Sequence, residues 1–284
     1  MPPNPHPVFV IREVTSSSQC PSEDSSIHPS ILAAMNSHDD VEGTKCWAWP
    51  IGDCEGCISR EHLISSCLFD DELVTVRGFR WCLAEPKTIG LSRLVAKILC
   101  RKHNSDLSSL DGAALDAFNA FRESVRLNKV RTGLRAKSWR TKRFVIDGPR
   151  LERWFLKTLI NLSVGSEWIL GPGFHPEGMP SEHLVKVAFG LEEFEEGAGL
   201  YIVGRTGEEI DSMDGVNVTP RTHGPNLVGG AFTFRGYRFH LNLLPGRLRM
   251  DGQSHLLYRD SKMVFRVPNS VGRILLSHEI RFKW

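Results

Sequence analysis

The sequence predicts an α+β chain: a metal-stapled N-terminal unit followed by a β-rich, mixed C-terminal domain. Three observations predict it. Cysteines and histidines stand at metal-ligand spacing between residues 46 and 103. An amphipathic helical repeat follows them directly. Beyond residue 199, β-branched and aromatic runs dominate.

The chain has 284 residues, 41% of them hydrophobic, which is enough for one large or two ordinary domains with a normal core. The net charge of +2 excludes a polycation, so the distribution of charge matters more than its sum. No apolar run approaches the ~18 residues that read as a membrane span. The N-terminus lacks the basic start and apolar stretch of a secretory signal, so a cytosolic location without membrane association is expected.

Residues 1–40 are rich in Pro, Ser and Asp and read as a mobile tail, with Met35 a candidate alternative start. Residues 45–127 read as the first compact unit, 128–148 as a basic connector and 149–284 as the C-terminal domain. Within the first unit, Leu73–Trp81 and Leu94–Leu99 read as strands. Asn104 opens a helix to about Leu127, because Leu107, Leu110, Ala114, Phe118 and Phe121 recur on one face. Pro149 suits the first turn of another helix, with Leu151, Trp154, Phe155, Thr158, Leu159 and Leu162 as its apolar stripe and Gly165 at its end. Leu200–Val203, Ala231–Leu244, Leu256–Val267 and Arg273–Lys283 read as strands. Gly236 turns one hairpin and Arg259–Lys262 another.

Five of the seven cysteines (Cys46, Cys54, Cys57, Cys67 and Cys82) fall within forty residues, a density that points to metal before disulfides in a cytosolic chain. Zinc takes four Cys or His ligands in tetrahedral array. Cys100 and His103 supply one knuckle, where a strand hands over to a helix. For the other pair, spacing favours Cys46 with Cys54 and leaves Cys54 with Cys57 open. A structural zinc contributes on the order of 10 kcal/mol, against the few kcal/mol that burial gives an ~80-residue unit. Cys20, Cys67 and Cys82 carry no such pattern.

These cysteines before Glu61-His62, the long gap, Cys100-x2-His103 followed at once by Asn104, and Leu110-Asp111 on the next helix together resemble the HNH endonucleases of the ββα-metal fold. The resemblance spans residues 45–115, about a quarter of the chain. It implies a structural Zn²⁺, and a catalytic Mg²⁺ or other divalent cation held by Glu61 and Asn104. It implies His62 as general base toward water, and Asp111 as a group that completes or orients the cation shell. It implies a nuclease that leaves a free 3′ hydroxyl and acts on DNA, with RNA as the alternative substrate. The chain departs from the pattern twice: Glu61 stands where many members carry Asp, and the second helical histidine is missing. The alternative is a zinc-stapled module that binds nucleic acid without cutting it.

Residues 122–143 carry nine Lys or Arg and one acid, Glu123. Arg131, Arg135, Lys137, Arg140, Lys142 and Arg143 are the candidate phosphate contacts, giving sequence-independent affinity that falls with salt. Trp139 within this run either stacks on an exposed base or packs in the core, and packing is the favoured reading. His175, His183, His223, His240, His255 and His278 lack ligand spacing and read as structural.

Overall fold

A computed structural model describes residues 8–13, 46–171, 178–204, 207, 210, 215–246, 248 and 255–284. His175 lies outside them. The fold is mixed α+β and rich in strands. Among the described residues, fourteen strands form a nine-stranded, a three-stranded and a two-stranded sheet. No helix among the described residues is long and apolar enough to cross a membrane.

The two-stranded sheet pairs β2 (Ile58–His62) with β5 (Val95–Cys100), antiparallel, with a bulge at Ser59/Arg60. Helix α1 (Arg101–Asp106) leaves β5 without a loop, and α2 (Ser108–Thr132) follows after a break at Leu107. The expected helix therefore begins three residues early, is interrupted once and ends five residues late. The cause of the early start is local: the Cys100 side chain caps α1 by accepting from the His103 backbone N–H.

The large sheet corrects two expectations. Its strand order is β12-β8-β11-β10-β9-β1-β3-β4, with β7 (Ile169–Leu170) beside β10. Here β1 is Phe9–Glu13, β3 Leu73–Arg77, β4 Lys87–Gly90, β8 Gly199–Gly204, β9 Val216–His223, β10 Asn226–Phe234, β11 Tyr237–Asn242 and β12 His255–Tyr258. Residues 9–13, expected within a mobile tail, instead form a strand between β9 and β3. Phe9 and Ile11 are buried there, which gives this segment the apolar anchor that its Ser-rich neighbours lack. Gly78, just after β3, has positive φ, and a Cβ there would collide with the Val8 carbonyl. The second correction concerns the boundary near residue 127. Strands β1, β3 and β4 continue the sheet made by C-terminal strands, so both halves share one core.

The expected connector is also structured. It comprises the end of α2, a short loop and β6 (Lys142–Asp147), which runs parallel to β14 (Ile274–Lys283). With β13 (Lys262–Pro268) these form the three-stranded sheet. The hairpin expected at Arg259–Lys262 is absent, because β12 pairs with β8 while β13 pairs with β14. The hairpin at Gly236 is present between β10 and β11. Helix α4 (Glu182–Phe189) had no sequence expectation, although Ser181 caps it and Gly190 ends it in the left-handed conformation.

Helix α3 (Gly148–Ser163) is the hub. Thirteen of its sixteen residues are buried, and only Pro149, Arg150 and half-buried Arg153 near its start reach solvent. Trp154 and Phe155 pack edge-on to Phe118 of α2 and Phe232 of β10 respectively. Three of its buried polar residues have partners on other elements: Glu152 with Arg259 at 2.7 Å, Lys157 with Glu61 at 2.8 Å, and Asn161 with Trp47 at 3.1 Å.

A second buried polar chain ties the small sheet to α2. Tyr237 donates to Ser124, Ser124 to Nε2 of His278, and Nδ1 of His278 lies 2.8 Å from Ser277 Oγ. This order needs a neutral imidazole. Burial and nearby Arg131 push His278 down to about 4 from 6.5. A depressed folded value makes this stability complete above pH 6.5 and loses it as pH falls toward 4. The expected loss by pH 4 is about 3 kcal/mol. Urea denaturation across that range checks it, and His278→Gln should flatten the slope.

Candidate metal centre

Four ligand atoms converge at the junction of β5 and α1. Cys46, Cys54, Cys100 and His103 place their sulfurs and ring nitrogen within 4.8 Å of one another. Gly52 and Asp53, both with positive φ, turn the chain between Cys46 and Cys54. Trp47 N–H donates to the Ile98 carbonyl at 2.9 Å, and Lys102 N–H to that of Glu55 at 3.3 Å, so the loop is tied to both β5 and α1.

Distances test whether this group suits zinc. Nδ1 of His103 lies 3.4 Å from Cys46 Sγ, 3.6 Å from Cys54 Sγ and 3.3 Å from Cys100 Sγ. One ring nitrogen carries a single proton or a single lone pair, so it cannot bond three thiols at once. A tetrahedral Zn²⁺ with ordinary Zn–S and Zn–N lengths sets its S···N edges at about 3.5 Å. The residues fit the ion. A backbone hydrogen bond to Gly52 engages the His103 ring, as is usual for a metal-bound imidazole, and Phe189 packs edge-on to it at 5.3 Å. Burial pushes the Cys46 thiol up to about 12, so a bound cation must displace its proton.

Cys57 falls outside the cluster. It is exposed, its carbonyl accepts from Arg101 N–H at 3.1 Å, and its sulfur lies 3.7 Å from the Arg101 guanidinium. The Cys54–Cys57 alternative fails because Cys57 is already the approach to β2, opposite the start of α1.

The groups expected to act on a substrate are placed as follows. Glu61 is buried on β2 and faces α3, where Lys157 Nζ lies 2.8 Å away and Asn161 donates at 3.4 Å. Asp111 of α2 accepts from the same Lys157 at 2.9 Å, and from Ser65, which itself accepts from Trp154 at 2.8 Å. Lys157 is 2% exposed, and its two carboxylates outweigh burial and hold its ammonium above the ordinary value. Burial raises Glu61, with Lys157 opposing. Asn104 donates to Ser59 Oγ at 3.0 Å and the Arg60 carbonyl at 3.4 Å, gripping the bulge of β2. His62 is half-buried, and desolvation lowers it below 6.5, so its ring is free base at neutral pH.

Glu61 and Asn104 are therefore not turned to a common point. Lys157 fills the space beside Glu61 and Asp111 that a divalent cation would need, and the residues present do not fit the implied Mg²⁺. Among the described residues, these carboxylates and His62 form no second metal-binding group. No family model, curated protein or solved structure matches the chain.

Sequence reasoning missed Lys157, Asn161, Ser65 and Trp154 as members of this cluster. The available signal was Lys157 and Asn161 at i, i+4 within the strongly apolar run from Trp154 to Leu162.

The candidate phosphate contacts divide. Arg131 is spent internally: its guanidinium donates to Ser277 and, at 3.0 Å, to the Arg140 carbonyl, and lies over Trp139 at 5.4 Å. Lys142 pairs with Glu123 at 2.8 Å and Arg143 with Glu279 at 3.5 Å. Arg135, Lys137 and Arg140 are exposed. A cavity of about 490 Å³ is lined by Arg131, Arg140, Thr141, Lys142 and Arg143.

Proposed function

We propose that the chain is a zinc-stapled endonuclease of the HNH type, hydrolysing phosphodiester bonds of nucleic acid, with DNA as the first substrate. The supporting observation is the order of parts: strand β2, strand β5 and helix α1, joined at the Cys46/Cys54/Cys100/His103 cluster, with Asn104 holding β2 and free-base His62 at its end. In this reading His62 takes the proton of the water whose oxygen attacks phosphorus. The bond to the 3′ oxygen breaks, and that oxygen takes a proton from solvent. Arg135, Lys137 and Arg140 hold the backbone of the nucleic acid.

A second reading is favoured by one observation. Lys157 neutralises Glu61 and Asp111 from inside, as suits a module that binds nucleic acid through its basic surface and does not cut.

Nicking of supercoiled plasmid by zinc-loaded protein, with Mg²⁺, Mn²⁺, Ni²⁺ or EDTA, separates the two. The nuclease reading expects nicking that falls at least about a hundredfold in His62→Ala, while filter binding of the same DNA is kept. Binding without nicking, unchanged in His62→Ala, would establish the second reading instead.

A further inference from the structure

We propose that Arg221, Arg238 and His240 form an anion site on the outer face of the large sheet, built to take a phosphate group. The placement follows from strand register. Ala231 of β10 lies between Thr219 of β9 and His240 of β11. Arg221 follows Thr219 by two positions and so shares its face, and Arg238 precedes His240 by two on the same face. The inner face of these strands carries the core residues Val218, Phe232 and Phe239. The row between Arg221 and His240 holds only Gly229 and Ala231, which are too short to fill it.

Two atoms in this group call for a ligand. Nη1 of Arg221 and Nδ1 of His240 are shielded from water, and neither has a hydrogen-bond partner. Shielded polar groups in folded proteins are nearly always satisfied, so each exception marks strain, a function or an absent ligand. Charge points the same way. Burial, then Arg221, then Arg238 push His240 down to about 4, so positive potential gathers at this ring. A guanidinium presents paired donors that match phosphate oxygens, and a dianion gains more from two guanidiniums and a neutral imidazole donor than a single carboxylate does. These residues lie on elements separate from β2, β5 and α1, so the site stands or falls independently of the nuclease reading.

Isothermal titration of the full, zinc-loaded chain with inorganic phosphate tests the proposal, with adenosine monophosphate as a second arm. Tighter binding of the monophosphate would identify a nucleotide end as the source of the phosphate group. Equal binding would identify the free ion. Saturable binding is expected, weakened about tenfold or more by Arg221→Gln and by His240→Gln, and unchanged by Lys262→Gln on β13. Imidazole NMR signals of wild-type His240 should move with the same saturation, a readout that needs no variant to fold. Absence of saturable binding with a motionless His240 signal, or binding equal in all three variants, would overturn it.

Discussion

Lys157→Met should destabilise the protein by about 3–5 kcal/mol, read as the shift of the urea midpoint at constant slope. The substitution keeps volume and deletes the ammonium that Glu61 and Asp111 share. Taking one member from a buried ion group leaves the others charged, desolvated and unanswered, and that residue of charge is what makes the loss large. Adding Glu61→Gln and Asp111→Asn to Lys157→Met should recover much of it, since no unpaired charge then remains. For contrast, Arg126→Ala breaks an exposed, solvent-screened pair with Glu123 and should leave the urea midpoint nearly unmoved. A Lys157→Met loss as small as that would mean the three groups do not act as a unit.

Stripping the metal is the second large effect. A structural zinc site has an apparent binding free energy of about 10–16 kcal/mol at neutral pH, comparable to the whole stability of an ordinary domain. A strong chelator should therefore release β2, β5 and α1 first, because their junction is the cluster itself. Hydrogen exchange is expected to quicken there while β8, β10 and β11 stay protected by the aromatic core around Phe232, Phe234 and Phe239. An unchanged exchange map after chelation would mean that the packing of Trp47 and Leu99 holds the junction without an ion.

Much of this was legible in the residues. Cys100-x2-His103 at a strand end forecast a metal knuckle, and the recurrence of Leu110, Ala114 and Phe118 forecast the helix beneath it. Loop length favoured Cys46 with Cys54 only narrowly over Cys54 with Cys57. What stayed hidden depended on partners distant in sequence. Phe9 and Ile11 look like any short apolar patch until β3 and β9 flank them. Lys157 drew no reading from the sequence, because its place in an apolar run does not say that Glu61, 96 positions earlier, will face it. Arg131 likewise reads as a surface cation until Ser277 accepts its guanidinium. Charges, unlike apolar stripes, reveal their role only through their counterparts.

Native mass spectrometry of the purified chain, read for zinc, is the most direct test of the metal centre on which the fold of this region and the proposed function both depend. One zinc ion per chain is expected, lost or greatly weakened in Cys54→Ser and Cys100→Ser and kept in Cys57→Ser. A chain without zinc, or one that loses it through Cys57→Ser while Cys54→Ser retains it, would contradict the assignment.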